Sequence, residues 1–137
     1  MSHPEGLPDL FLDRSLGRVK VARLLRAHGL RLTTLAEHYG MPNDATVTDV
    51  EWLELAGTRG WAALMKDDRI RYQPEERAAL RRFAVRGFVI TNANLTAEAM
   101  ADRFIRRLDA MTRACKRRKG PFLYSVGERR LTEIRLR

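Results

Sequence analysis

The sequence predicts an α/β protein, a three-layer α/β/α sandwich around a mostly parallel central sheet. Short apolar runs alternate with segments of helical periodicity from about residue 10 almost to the end. At least one run, Trp61-Ala62-Ala63-Leu64-Met65, is apolar without interruption, as a strand covered on both faces must be. Helix start signals fall between the runs, so helices provide the crossovers that parallel strands need.

In chain order, Leu10-Phe11-Leu12 reads as a first strand ending at Asp13. Gly17 to His28 carries Val19, Val21, Ala22, Leu24 and Leu25 at helical spacing, and Gly29 ends it. Leu30 to Leu35 reads as a second strand, followed by the turn-rich Tyr39-Gly40-Met41-Pro42-Asn43-Asp44. Thr48 and Glu51 match a capping box and open a helix that Gly57 or Gly60 closes. The run 61–65 is the third strand. Pro74-Glu75-Glu76 opens another helix, with Pro at a first-turn position and acids at the positive end of the dipole.

Val85 to Ile90 is the fourth strand. Thr96 caps the longest helix, whose stripe of Met100, Phe104, Leu108, Met111 and Cys115 is core packing. Residues 121–137, with Phe122, Tyr124 and Val126 alternating and Leu131 to Leu136 beyond Gly127, read as a terminal hairpin or edge addition. No repeat or linker divides the chain, so 1–137 is read as a single domain with an ordered core from about residue 10.

Composition bounds the function. A chain of 137 residues, 45% hydrophobic and 31% charged, can build one sizeable core. The lone Cys115 excludes an internal disulfide. No signal-peptide pattern and no membrane-length apolar stretch is present, so a cytoplasmic protein with no membrane association is expected. The +9 formal charge favours polyanionic partners without naming a chemistry.

In parallel sheets ligands gather beyond the carboxyl ends of the strands. Asp13 follows the first strand, Asp67 and Asp68 follow the third, and Asp49 sits in the first turn of the middle helix. Glu37 comes just after the second strand. Each has a simpler reading as a helix cap or dipole partner, and Glu51 is read as the reciprocal half of its capping box. Asp68 is equally suited to pair with Arg69 or Arg71. Carboxylates held close together repel, and a hard divalent ion such as Mg²⁺ or Mn²⁺ relieves that repulsion. Such an ion also lowers the pKa of an attacking water.

Phe11-Leu12-Asp13-Arg14-Ser15-Leu16-Gly17, Asp49-Val50-Glu51-Trp52-Leu53 and Gly60-Trp61 through Lys66-Asp67 resemble segments of PIN-like domains of VapC-type toxins, in particular a compact subgroup. Asn94-Leu95-Thr96 and Gly120-Pro121-Phe122 are similar to it as well. The resemblance implies a PIN-like fold, RNA cleavage with Mg²⁺ or Mn²⁺ and a co-encoded antitoxin, in a family where homodimers are frequent. It assigns metal ligation and catalysis to Asp13, Asp49 and Asp67; the family's remaining acid has no unambiguous counterpart, and Glu37 is taken for it, with Asp44 or Glu51 as alternatives. Met65 stands where the family has a threonine two residues before the last acid, which removes a hydroxyl able to orient a carboxylate.

Arg14 is the first choice for a contact to RNA phosphate, with Lys66 and Arg69 beside the acids as further ones. The basic run Arg113 to Lys119 suits phosphate, an acidic antitoxin segment, or simply a helix C-terminus. His38 has no partner at metal spacing, and Trp52 and Trp61 read as core. Two competing functions remain. One is a non-catalytic RNA- or protein-binding module with a weakened metal site, which Met65 favours. The other is a phosphoacceptor receiver, disfavoured because only Asp13 follows the first strand.

Overall fold

The computed structural model describes residues 2–67, 69–91 and 94–136, the side chain of Arg71 excepted. Five strands run parallel: β1 (Leu10–Leu12), β2 (Leu32–Thr34), β3 (Ala62–Lys66), β4 (Arg86–Ile90) and β5 (Phe122–Val126). Strand β6 (Leu131–Glu133) returns antiparallel to β5, giving the order β2-β1-β3-β4-β5-β6. The expected hairpin at the chain's end is therefore built into the sheet edge.

Alternation along each strand divides the apolar residues between two cores. On one face Leu12, Leu64 and Phe88 meet Leu25 of α1 (Lys20–Ala27), Phe104 of α5 (Ala97–Arg106) and Met111 of α6 (Leu108–Arg117). On the other, Phe11, Met65 and Val89 meet Trp52 of α3 (Asp49–Arg59) and Leu80 of α4 (Pro74–Arg82). These are the three layers the sequence predicts.

Two glycines matter to this packing. Gly60 closes α3 in the left-handed conformation at φ 70°, with its N–H on the Ala56 and Gly57 carbonyls. Gly57 lets α3 approach the end of α4, since a Cβ there would sit 2.3 Å from the Phe83 carbonyl oxygen.

Three expectations need correction. The first helix begins at Lys20, not Gly17, because a 3-10 turn over Arg14–Leu16 ends at Gly17 with φ 83°. The second strand stops at Thr34, whose side chain caps a short helix α2 (Leu35–Tyr39) through a reciprocal box with Glu37. The long C-terminal helix is broken at Arg107, between α5 and α6. All five residues of its stripe still lie in one core, so periodicity could not reveal the break.

Order β2-β1-β3 puts the switch point between β1 and β3, where a parallel sheet opens a crevice at its carboxyl edge. The basic run Arg113 to Lys119 lies at the opposite edge: it precedes β5, whose Phe122 pairs with Arg86 at the start of β4. That placement sets it at the opposite end of the sheet from the crevice.

Candidate active site

The carboxyl edge at the switch point holds a cleft of about 130 Å³ lined by Asp13, Asp49 and Asp67. This is smaller than the ~300 Å³ at which small-molecule pockets begin, yet has room for ions, a few waters and phosphate oxygens. Met65 forms part of its wall, and Arg14, Lys66 and Arg69 complete the mouth.

Each of the three acids has one oxygen fixed by a donor two or three residues downstream. Asp13 Oδ1 accepts from the Ser15 N–H at 3.1 Å and from the Ser15 hydroxyl. Asp49 Oδ1 accepts from the indole Nε1–H of Trp52 at 2.8 Å. Asp67 Oδ1 accepts from the Arg69 N–H at 3.1 Å. Short-range chain geometry thus orients all three carboxylates, leaving the second oxygen of each for other partners.

Those second oxygens differ in what they meet. Asp67 Oδ2 is held by Arg69 Nε at 2.9 Å, in an ion pair largely open to solvent. The Asp49 carboxylate lies beside that of Glu76, in the first turn of α4. Asp13, 8% exposed, makes no hydrogen bond through Oδ2 among the described residues. Burial, reinforced by the charge of Asp49, pushes the Asp13 carboxyl up to about 7 against the pull of its Ser15 hydrogen bonds. Burial and the neighbouring Asp49 likewise raise Glu76 to about 7.

Burial, with Asp13 and Glu76 both near Asp49, makes ionised carboxylates costly here, and a hard divalent cation would relieve that cost. Among the described residues, however, no three acidic, imidazole or thiol side chains are gathered closely enough to enclose an ion as they stand. Drawing Asp67 toward an ion exchanges its contact with Arg69.

Glu37 does not join this cleft. Its carboxylate is committed to Arg26 through two bonds of 2.7 Å and to the Thr34 N–H, and the Arg26 guanidinium lowers its pKa. The alternatives fare no better. Asp44 is buried against Arg18 at 2.8 and 3.0 Å, and Glu51 closes the capping box with Thr48. Asp68 lies outside the described residues. Glu76 is the further acid beside Asp49, and residue order conceals it because Pro74-Glu75-Glu76 reads fully as a helix start.

Arg14 is tied down as well. Its Nη2 donates to the carbonyls of Asp44 and Val47, both at 2.7 Å, anchoring the turn that leads into Asp49. Lys66 is half-buried at the cleft mouth, and Arg69 is exposed there but engaged with Asp67. His38 packs edge-on against Tyr39 and has no part in the cleft lining. Ser15 and the Trp52 N–H are the other groups that sequence reasoning misses. A signal for Trp52 is present, since Asp49 and Trp52 are three apart on one helix and share a face.

Residues 8–92 match the family model described as "PIN like domain". The chain is 39% identical over 128 residues to the Mycobacterium tuberculosis (strain ATCC 25618 / H37Rv) protein named "Putative ribonuclease VapC45". That alignment covers 93% of this chain and 92% of that protein. No solved structure matches. The chain belongs to the PIN-like family, as a domain of the VapC type. No helix among the described residues is long and apolar enough to cross a membrane.

Proposed function

We propose that this chain is a metal-dependent endoribonuclease, the toxin of a pair whose second member is a co-encoded antitoxin. The name of its mycobacterial relative and its family membership support the ribonuclease reading. The observation that carries it is the meeting of Asp13, Asp49 and Asp67, from three separate segments, on one small cleft at the switch point.

In this reading Asp13, through Oδ2, and Asp49 would hold Mg²⁺ or Mn²⁺ together with Asp67, which would give up its contact with Arg69 to do so. A bound ion of this kind supplies charge to phosphate oxygens and lowers the pKa of an attacking water. The chain's own residues do the rest. Ser15 and Trp52 fix the orientation of two acids, and Glu76 lies beside Asp49. Lys66 and Arg69, at the mouth, offer cations to the RNA phosphate. Arg14 acts through the backbone it anchors. The protein works in the cytoplasm as one domain, either alone or as a homodimer.

RNA cleavage by wild type, Asp13→Asn and Asp67→Asn, with and without EDTA, tests the proposal. Asparagine suits position 67, whose φ of 82° lies in the left-handed region that Asp and Asn both tolerate. Both substitutions and EDTA are expected to abolish cutting while the fold persists. Cutting that survives all three would end the enzymatic reading.

Two observations favour a second reading. Asp67 is neutralised by Arg69, and Met65 contributes no hydroxyl, which fits a binding module with a weakened metal site. RNA affinity without any cleavage by the wild type would identify it.

A further inference from the structure

We propose that Ser15 is a positioning residue that sets Asp13 and the Lys66-Asp67 backbone in one register, supplying the hydroxyl that Met65 does not. The inference rests on the metal-dependent reading above and adds a residue to it. The Ser15 hydroxyl donates to Asp13 Oδ1 and accepts from the Lys66 N–H at 2.8 Å. The Ser15 N–H reaches the same Oδ1. One side chain thus joins the carboxylate that follows β1 to the peptide immediately before the acid that follows β3.

The backbone shows why such a link is needed. Strands β1 and β3 pair only as far as Leu12 and Leu64, and the Asp13 N–H adds one bond to the Leu64 carbonyl. Beyond that point the ladder between them stops. Lys66 and Asp67 continue along β4, whose Ile90 carbonyl accepts from the Asp67 N–H. Without Ser15, the Lys66 N–H on the β1 side has no partner among the described residues. Met65, 1% exposed, is spent on the core beneath α3 and α4.

The hydroxyl also decides which oxygen of Asp13 is free. With Oδ1 receiving two donors, Asp13 presents only Oδ2 to the cleft, as a one-oxygen ligand. Outer partners of this kind, when removed, typically weaken metal affinity by 10–100-fold because the ligand must be ordered at the moment of binding.

The test measures Mn²⁺ affinity together with the Asp13 carboxyl ¹³C line and the Lys66 amide line in metal-free protein. The proteins compared are wild type, Ser15→Ala, Ser15→Thr and Asp13→Asn. Ser15→Ala is expected to move both lines, leave the Asp44 and Glu37 carboxyls in place, and weaken Mn²⁺ binding about 10–100-fold. Ser15→Thr, which keeps the hydroxyl, should restore both. Lines that stay put in Ser15→Ala, or an affinity equal to wild type, overturn the proposal. If wild type and Asp13→Asn are alike in taking up no Mn²⁺, the metal reading fails and the role of Ser15 is decided by the metal-free lines alone.

Discussion

The indole Nε1–H of Trp52 donates to Oδ1 of Asp49 at 2.8 Å, while the same ring stacks on Phe11 at 5.7 Å between centroids. A fully buried core residue therefore holds a carboxylate of the cleft. Trp52→Phe keeps the aromatic packing and removes the donor. It is expected to cost about 1–2 kcal/mol in urea unfolding. Mn²⁺ affinity, read by calorimetry, should fall at least tenfold. A loss of stability with unchanged affinity would confine Trp52 to the core.

The pH dependence of the metal-free fold should run opposite to that of an ordinary paired carboxylate. Asp13 is raised from 3.8 to about 7, so between these values the folded chain keeps a proton that the unfolded chain has lost. Stability is then greatest below about pH 4 as far as this group is concerned, and declines as pH rises toward 7, by at most roughly 4 kcal/mol. Melting temperatures at pH 5 and pH 8 in EDTA should differ in that direction. Asp13→Asn should reduce the difference, leaving the part of the same sign that Glu76 contributes, and Mn²⁺ should raise the pH 8 value.

Glu37 should prove structural. Its cap and exposed ion pair are together worth about 1–2 kcal/mol, so Glu37→Ala lowers the melting temperature. Mn²⁺ affinity and RNA cleavage per folded molecule should be unchanged. A variant that folds normally but no longer takes up the ion would return Glu37 to the site.

Arg14 should behave as an anchor and not as a phosphate ligand. Its two bonds to the Asp44 and Val47 carbonyls are charge-assisted, worth about 1.5–3 kcal/mol each. Arg14→Met is expected to loosen the 43–48 segment, raising amide exchange there, and to leave the salt dependence of RNA binding as it was. A salt slope reduced by about one would instead mean that the guanidinium meets a phosphate.

Much of the molecule is readable from residue order. The apolar run 61–65 suits a central strand, which the fold places at Ala62–Lys66, and the Thr48-Glu51 box is present with both of its bonds. Asp13 and Asp67 stand out in the sequence as acids placed directly after apolar strands. Residue order misleads where one segment satisfies two rules. Thr34 to Tyr39 is polar enough to end a strand and also begins with Thr-x-x-Glu, and the helix prevails because Glu37 and Thr34 satisfy each other's backbone donors. The Arg107 break is hidden because the apolar stripe runs through it unaltered.

Local chain chemistry therefore determined the class of the protein, most of its strands and helices, and the three acids that line the cleft, since propensity, capping and burial act within a few residues. Which groups those acids meet was left to the fold. Only the tertiary packing of strands and helices puts Asp13 beside Asp49, sets Asp49 beside Glu76, removes Glu37 to Arg26, and carries the basic run 113–119 to the far edge of the sheet. Through-space electrostatics depends on distance, and the distance between segments is a property of the folded chain.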